Sequence, residues 1–496
     1  MRRDRRTRTG VLTAAAVALA SGPAALAQPL TESRTLLVFN SADAESLAVR
    51  DMYRTAHPGV LEFDLADPSL TSADPAERGE ITRAEFRAKV RDPLRAYLAQ
   101  RDETGTTLAQ RVIAIATTRG LPARIAGEDE FTLHSTWASL ESELALLQQD
   151  LSGAALPAPF HTAVAGIIGN PYHGWVGAPI ASFDRSTITT PRTFELVEGA
   201  AVRGPALTPG DLYLVTRVDS APSPGRSALR NIADLLRRSQ SLRLTPGRAQ
   251  AVLDEWAPGA DALDDDGGLF FSTADDFDLA EVALRRAGVP VWHDRSFDFI
   301  TGDRLDTRPV VLLATYGENH DARGLGADPP GVGSYLATFP RLHPAAVFVA
   351  YESFSGESIV TGASRGGQQQ ALDFIAAGGS FTVAHVAEPF SFAVADAELL
   401  ARNFLLGGMT FAEAAYSAIP GLSWQNTPVG DPLARVTLDS PTVVGDLTGD
   451  GAVNGADLSA VLNAWGAEGP AQPADLNGDG VVSGADITFV LSNWTG

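Results

Sequence analysis

The chain has 496 residues, of which 45% are apolar and 20% charged, and it carries a formal net charge of −22. That length allows two or three domains and at least one large core, and the composition is that of a globular protein. So acidic a chain repels phosphate backbones and anionic lipid, so no nucleic-acid partner is expected. It contains no Cys, which excludes disulfides, thiolate metal sites and a Cys nucleophile.

Residues 1–27 have the layout of a signal peptide. Arg2, Arg3, Arg5, Arg6 and Arg8 precede the apolar stretch 11–20, and Ala25-Leu26-Ala27 gives a small-x-small cleavage pattern before Gln28. The apolar stretch is too short to anchor the chain in a bilayer, and no later stretch reaches a spanning length. A secreted or cell-surface protein without a membrane span after cleavage is expected.

From residue 35 to about 418, short apolar runs alternate with helical patterns. Strands are predicted at 36–39, 112–116, 212–215, 269–271, 310–314, 346–350 and 381–384. Helices are predicted at 44–55, 83–99 (broken or kinked at Pro93), 138–149, 226–237, 277–287, 368–376 and 395–405. This alternation predicts an α/β fold, a mostly parallel sheet with helices on both faces. The stretches 153–210 and 317–344, rich in Pro and Gly, are expected to be long loops beside a functional site.

The helical pattern stops near residue 436, and a repeat of period 29 begins at Asp446. The expected division is 28–436 for the α/β domain, 437–445 for a linker and 446–496 for the repeat. Its copies open with DLTGDGAVNGAD and DLNGDGVVSGAD, two twelve-residue EF-hand-like loops. Calcium, a hard cation, takes oxygen ligands. The first loop offers Asp446, Thr448, Asp450, the carbonyl of Ala452, Asn454 and Asp457. The second offers Asp475, Asn477, Asp479, the carbonyl of Val481, Ser483 and Asp486. Gly451 and Gly480 stand at the sixth position, where the chain turns sharply. Two Ca2+ sites are expected, and their metal contributes to folding because the carboxylates otherwise repel one another. Each loop is followed by an amphipathic stripe, Leu458, Val461, Leu462 and Trp465 in one copy and Ile487, Val490, Leu491 and Trp494 in the other. Either stripe alone is too small to fold, so the copies are expected to pack together.

A loop followed by a single helix, with Asp at the twelfth position, resembles type I dockerins over the last fifty or so residues. The resemblance implies a cohesin-like partner and an extracellular role, commonly polysaccharide breakdown. The pair that reads the partner in that family corresponds to Gly455-Ala456 and Gly484-Ala485, where many dockerins carry hydroxyl residues.

In the α/β region, polar groups follow the predicted strands: Arg119; Arg217 and Asp219; Tyr316 to Asp321; Tyr351 to Ser355; His385 and Glu388. Ligand sites in parallel sheets lie outside the carboxyl ends of strands. The segments Thr117 to Pro122, Ser142-Glu143-Leu144, Asn170-Pro171-Tyr172 and Ser423-Trp424-Gln425 resemble an uncharacterised family of secreted bacterial proteins. Phe411-Ala412-Glu413-Ala414 and Gly430-Asp431-Pro432 are similar to the end of gingipain-type, caspase-like peptidase domains. That similarity implies a His after one central strand, matched by His320, and a Cys after the next, where Tyr351 to Ser355 has none. It leaves a Ser-based variant, another hydrolase or a non-catalytic scaffold. The candidate catalytic set is His320 as base, Ser353 or Ser355 as nucleophile, Glu318 or Glu388 as orienting group, and His385. Glu318 with Glu352 or Glu388 is the alternative, a glycosidase-type carboxylate pair.

Overall fold

The computed structural model describes residues 30–495 except 72–78, 128–136, 153–166, 177–184, 186–187, 189–190, 198–199, 256–275, 297–299, 301, 316–340, 363–367, 369, 391–392, 440–444, 449–451, 468–473 and 477–480. Ten strands form its main sheet. In chain order they are β1 (Thr35–Phe39), β2 (Leu61–Asp64), β3 (Ala114–Thr118), β4 (Leu214–Val218), β5 (Gln250–Asp254), β6 (Val291–Asp294), β7 (Val310–Thr315), β8 (Leu342–Ala350), β9 (Phe381–His385) and β10 (Asn426–Val429). Their spatial order is β6-β5-β7-β8-β9-β10-β4-β3-β1-β2.

That order contains one pattern twice. The first half reads β2-β1-β3-β4 and the second β6-β5-β7-β8-β9, so each is wound in the order 2-1-3-4, with parallel pairings throughout. Such doubly wound halves each have a switch point, between β1 and β3 and between β5 and β7. β10 joins the halves. It runs antiparallel to β9, from His385 opposite Asn426 to Thr382 opposite Val429, and meets β4 at one position, Arg217 opposite Val429.

Most strands are buried on both faces, as a parallel sheet between helices requires. Over the first half, α1 (Ala44–Ala56) brings Val49 and Tyr53 to one face. The opposite face takes Phe86, Val90, Leu94 and Leu98 of α2 (Arg83–Leu98) and Leu140 and Leu144 of α3 (Leu140–Ala145). α4 (Ala228–Ser239) packs Ile232 and Leu236 beside α1 and reaches the second half through Leu235. There α5 (Asp276–Arg286) and α7 (Phe411–Ala418) cover one face, and α6 (Ala371–Ala376) the other.

α2 is an unbroken helical run of Arg83–Glu85, a π-helical turn Phe86–Arg91 and Asp92–Leu98. The helix is not broken at Pro93, but regular α-helical bonding gives way to the π turn just before it. Proline has no N–H and crowds the carbonyl four residues earlier, and the wider π turn just before it absorbs that misfit. The predicted strand at 269–271 lies outside the described residues. Within 153–210 short ladders occur, among them Glu195–Val197 with Ala200–Arg203, so the segment is not loop alone.

The carboxyl ends of both halves emerge on one edge of the sheet. Arg124, beyond β3, donates to the carbonyl of Val386, beyond β9, at 2.9 Å. Ala221, beyond β4, donates its N–H to the carbonyl of Leu372 in α6 at 3.2 Å. The α/β body extends past residue 436, because Val436–Leu438 pairs with Leu242–Leu244. At the C-terminus α8 (Gly455–Asn463) and α9 (Gly484–Ser492) form a small separate core.

Candidate functional site

The two repeat loops are built around one buried aspartate each. Asp457 and Asp486, the twelfth residues, are fully buried. Asp457 accepts the N–H of Asn454 at 2.9 Å on Oδ2 and that of Thr448 at 2.9 Å on Oδ1, pinning both ends of its loop. Thr448 Oγ1 lies 3.0 Å from Asp457 Oδ1 and 3.2 Å from Asp446 Oδ1. Asp486 does the same in the second copy, accepting from Leu476 and Ser483, each at 2.7 Å. Burial pushes the Asp457 carboxyl up, yet the N–H donors of Asn454 and Thr448 and the Thr448 hydroxyl outweigh it and hold it below its ordinary value. Asn454 and Ser483 also cap the following helices, at Ala456 and Ala485. The donor set is therefore oxygen only, acidic and convergent, which fits a hard divalent cation. Asp450, Asn477 and Asp479, with Gly451 and Gly480, lie outside the described residues.

The copies complete one another. Val453 and Val482, at the eighth loop position, are buried with Val461 and Val490. Gly466 N–H donates to Val482 O at 2.9 Å, and Val482 N–H donates to Ala467 O at 3.0 Å. Thr495 N–H donates to Val453 O at 2.9 Å, and Val453 N–H to Thr495 Oγ1 at 2.8 Å. The predicted apolar stripes split, however. Val461 and Val490 enter the core, whereas Leu462, Trp465, Leu491 and Trp494 remain 52%, 55%, 56% and 43% exposed. Half of each stripe is thus a surface, not a seam.

Residues 444–493 match the family model for the dockerin type I domain. This match assigns the repeat. A dockerin binds calcium through its EF-hand-like loops and docks onto cohesin domains, and proteins carrying one are typically extracellular or cell-surface associated. No curated protein and no solved structure matches the chain. Among the described residues no helix is long and apolar enough to cross a membrane.

On the carboxyl edge of the α/β body, His385 closes β9 and Ser355 follows β8; both are fully buried. His385 N–H donates to Ser355 Oγ at 3.1 Å, and its Nδ1 lies 2.9 Å from the Glu352 carbonyl and 3.4 Å from Ser355 Oγ. A carbonyl only accepts, so Nδ1 carries the proton and Nε2 the lone pair. Burial pushes this imidazole down and keeps it neutral. Ser353 is half-buried on the same turn, and Glu388 is half-buried, accepting the N–H of Phe390 at 3.2 Å. Glu352 is buried. Glu318 and His320 lie outside the described residues.

The quoted sequence motifs gather around β10. Ser423 donates to Glu143 Oε1, which also holds Arg83 at 2.9 Å. Trp424 is buried; its N–H meets Ser142 Oγ at 3.1 Å, and its carbonyl accepts from Ser139 at 2.8 Å. Asn170 Nδ2 donates to the carbonyls of Tyr416 and Ile419 at 2.8 Å. At the first switch point Arg119 is held by Glu45 at 3.0 Å and Asp219 at 2.8 Å, which occupies its guanidinium within the fold. Gly120 has φ +90°, and a Cβ there would lie 2.4 Å from Asp43 Oδ1.

Three histidine–carboxylate contacts give no sequence signal, because their partners are far apart in the chain: His57 with Asp431 at 2.8 Å, His173 with Asp396 at 2.7 Å, and His293 with Glu255 at 3.0 Å. Donor atoms of Asp278, Glu281 and His293 lie within 4.8 Å of one another, but Arg295 pairs with Asp278 and supplies a positive charge there.

Proposed function

We propose that this chain is an exported protein that docks through two calcium ions onto a cohesin-type partner and brings its α/β domain into an extracellular polysaccharide-degrading assembly. The observation that carries the reading is the duplicated loop, with a buried aspartate clamping each copy. Calcium, when bound, offsets the mutual repulsion of the loop carboxylates. Asp446, Thr448, Asp450, Asn454 and Asp457, with the Ala452 carbonyl, would hold one ion. Asp475, Asn477, Asp479, Ser483 and Asp486, with the Val481 carbonyl, would hold the other. The docking face is then the start of α8 and α9, Gly455-Ala456 and Gly484-Ala485, together with exposed Leu462, Trp465, Leu491 and Trp494. Side chains of that kind anchor protein interfaces once desolvated. The division into a leader at 1–27, an α/β domain from 28 through the strand Val436–Leu438, a linker up to 445 and a dockerin from 446 belongs to the same reading.

Titration of the full chain against a panel of cohesin domains tests it. Saturable binding in calcium, lost in chelator and in Leu462→Asp/Leu491→Asp, is the expected result. Binding that is indifferent to chelator overturns the proposal.

The α/β domain is proposed as hydrolase-like cargo. What supports this is the place of His385 and Ser355 at the carboxyl ends of adjacent strands; the candidates are His320 as base, Ser353 or Ser355 as nucleophile and Glu318 or Glu388 as orienting carboxylate. A screen of peptide, ester and glycoside substrates with wild type, His320→Ala and Ser353→Ala tests it. Inert wild type, or variants as fast as wild type, leaves a scaffold that only binds.

A further inference from the structure

α2 carries an arginine at every fourth position: Arg83, Arg87, Arg91 and Arg95. In a chain of net charge −22 such a row is not background. Residues four apart share a helix face, and the π turn Phe86–Arg91 lies within this row. π turns occur disproportionately at functional sites.

The ends of the row are tied into the fold. Arg83 is buried and donates to Glu143 Oε1 and Ser152 Oγ, both at 2.9 Å. Arg95 donates to the carbonyls of Leu147 and Gln149 and to Asp150 Oδ1 at 2.8 Å. The middle pair is different. Arg87 is exposed, and its guanidinium has no hydrogen bond or ion pair among the described residues. Among the described residues Arg91 pairs only with its exposed neighbour Asp92, at 2.7 Å, a contact that contributes little in water.

Arg83, Arg87 and Arg91 line one cleft of about 250 Å3. Its other polar walls are Glu143, Gln149, Asp150 and Ser152. The cleft is small for a drug-sized ligand and suits a single ring. Guanidinium forks match a planar carboxylate. Glu143 Oε1 and Ser152 Oγ are already engaged by Arg83 and Ser423, whereas the exposed Asp150 carboxylate can accept hydrogen bonds from hydroxyl groups. Phe86, Leu146 and Leu147 are buried beneath it, so an extended acidic peptide finds no groove for its alternate side chains. We propose that this cleft binds a sugar acid, a pyranose bearing a carboxylate, with Arg87 and Arg91 on the carboxylate and Asp150 facing the ring hydroxyls. The site is separate from the dockerin, and its loss leaves cohesin capture intact.

The test uses the full calcium-loaded chain, exchanged into buffer without free calcium so that the probes do not chelate it. Glucuronate and digalacturonate are titrated, with galactose, sulfate and a polyglutamate peptide as the other arms. Saturable uronate binding without galactose binding is expected, weakened at least about tenfold in Arg87→Ala/Arg91→Ala by loss of charge-assisted bonds. Arg87→Lys/Arg91→Lys, which keeps charge but loses the fork, should bind at an intermediate level. Arg230→Ala, on a distant exposed surface, should bind as wild type. Unchanged uronate affinity in the double alanine variant, with its urea midpoint also unchanged, overturns the proposal. Sulfate binding as tight as uronate means an adventitious ion only, and tighter polyglutamate binding means an acidic-peptide site; either result also overturns it.

Discussion

Arg217 is a guanidinium taken out of water and surrounded by acceptors. It donates to Glu141 Oε1 at 3.1 Å and to the carbonyls of Leu121 at 3.2 Å and Pro122 at 2.5 Å, while Glu141 also accepts Thr117 Oγ1 at 2.7 Å. Removing one partner of such a buried pair leaves the other charge uncompensated, at about 3–5 kcal/mol. Glu141→Leu should lower unfolding free energy by about that amount in urea, and Arg217→Met added to it should recover most of the loss. His293 carries a second prediction. Burial pushes its imidazole down, but Glu255 and Glu281, at 3.0 and 2.7 Å, outweigh that and raise it to about 9. A folded value above the unfolded one, about 6.5, means that the stabilisation is complete below pH 6.5 and is lost as pH rises through about 9. Urea midpoints measured from pH 6 to 10 should fall across that window in wild type and fall less in His293→Gln. Equal slopes would show that this contact does not titrate with folding.

At the scale of elements, the dockerin copies are obligate partners. Each eighth-position valine has its backbone satisfied by the other copy, Val482 by the backbone of Gly466 and Ala467, and Val453 by the N–H and hydroxyl of Thr495. Residues 444–467 alone should therefore show no helix by circular dichroism at millimolar calcium, whereas 444–496 should fold; a folded single copy would contradict the interlock. Asp457→Ala should remove one calcium from the calorimetric stoichiometry and destabilise the dockerin, since it leaves the partly buried Thr448 and Asn454 amides without their acceptor. Other elements show where sequence patterns fail. β2 and β6 are edge strands with half-buried residues, LEFD and VWHD, and so carry no continuous apolar run. β10 lies between two strands yet contains Pro428, opposite Val383. Proline cannot donate to a ladder, so its presence argues against an interior strand. Here the pairing with β4 shrinks to one position instead.

Over the whole molecule, the large sheet and the dockerin have separate cores. Two thermal transitions are expected by calorimetry. Chelation should abolish or lower only the smaller one, because none of the proposed calcium ligands belongs to the sheet; a shift of both would reveal coupling. The sequence by itself determined the parts whose information is local. The calcium loops repeat at a fixed period, and the alternation of apolar runs with helical patterns is enough for a mostly parallel α/β sheet. Tertiary structure alone decided the rest. Strand order, with its two 2-1-3-4 halves joined by β10, depends on pairings between residues tens to hundreds of positions apart. So do the contacts of His57 with Asp431 and of Arg83 with Glu143. The dockerin stripe shows the same limit: periodicity places Val461 and Leu462 on one helix face, but only packing against the second copy decides which becomes core and which stays in water.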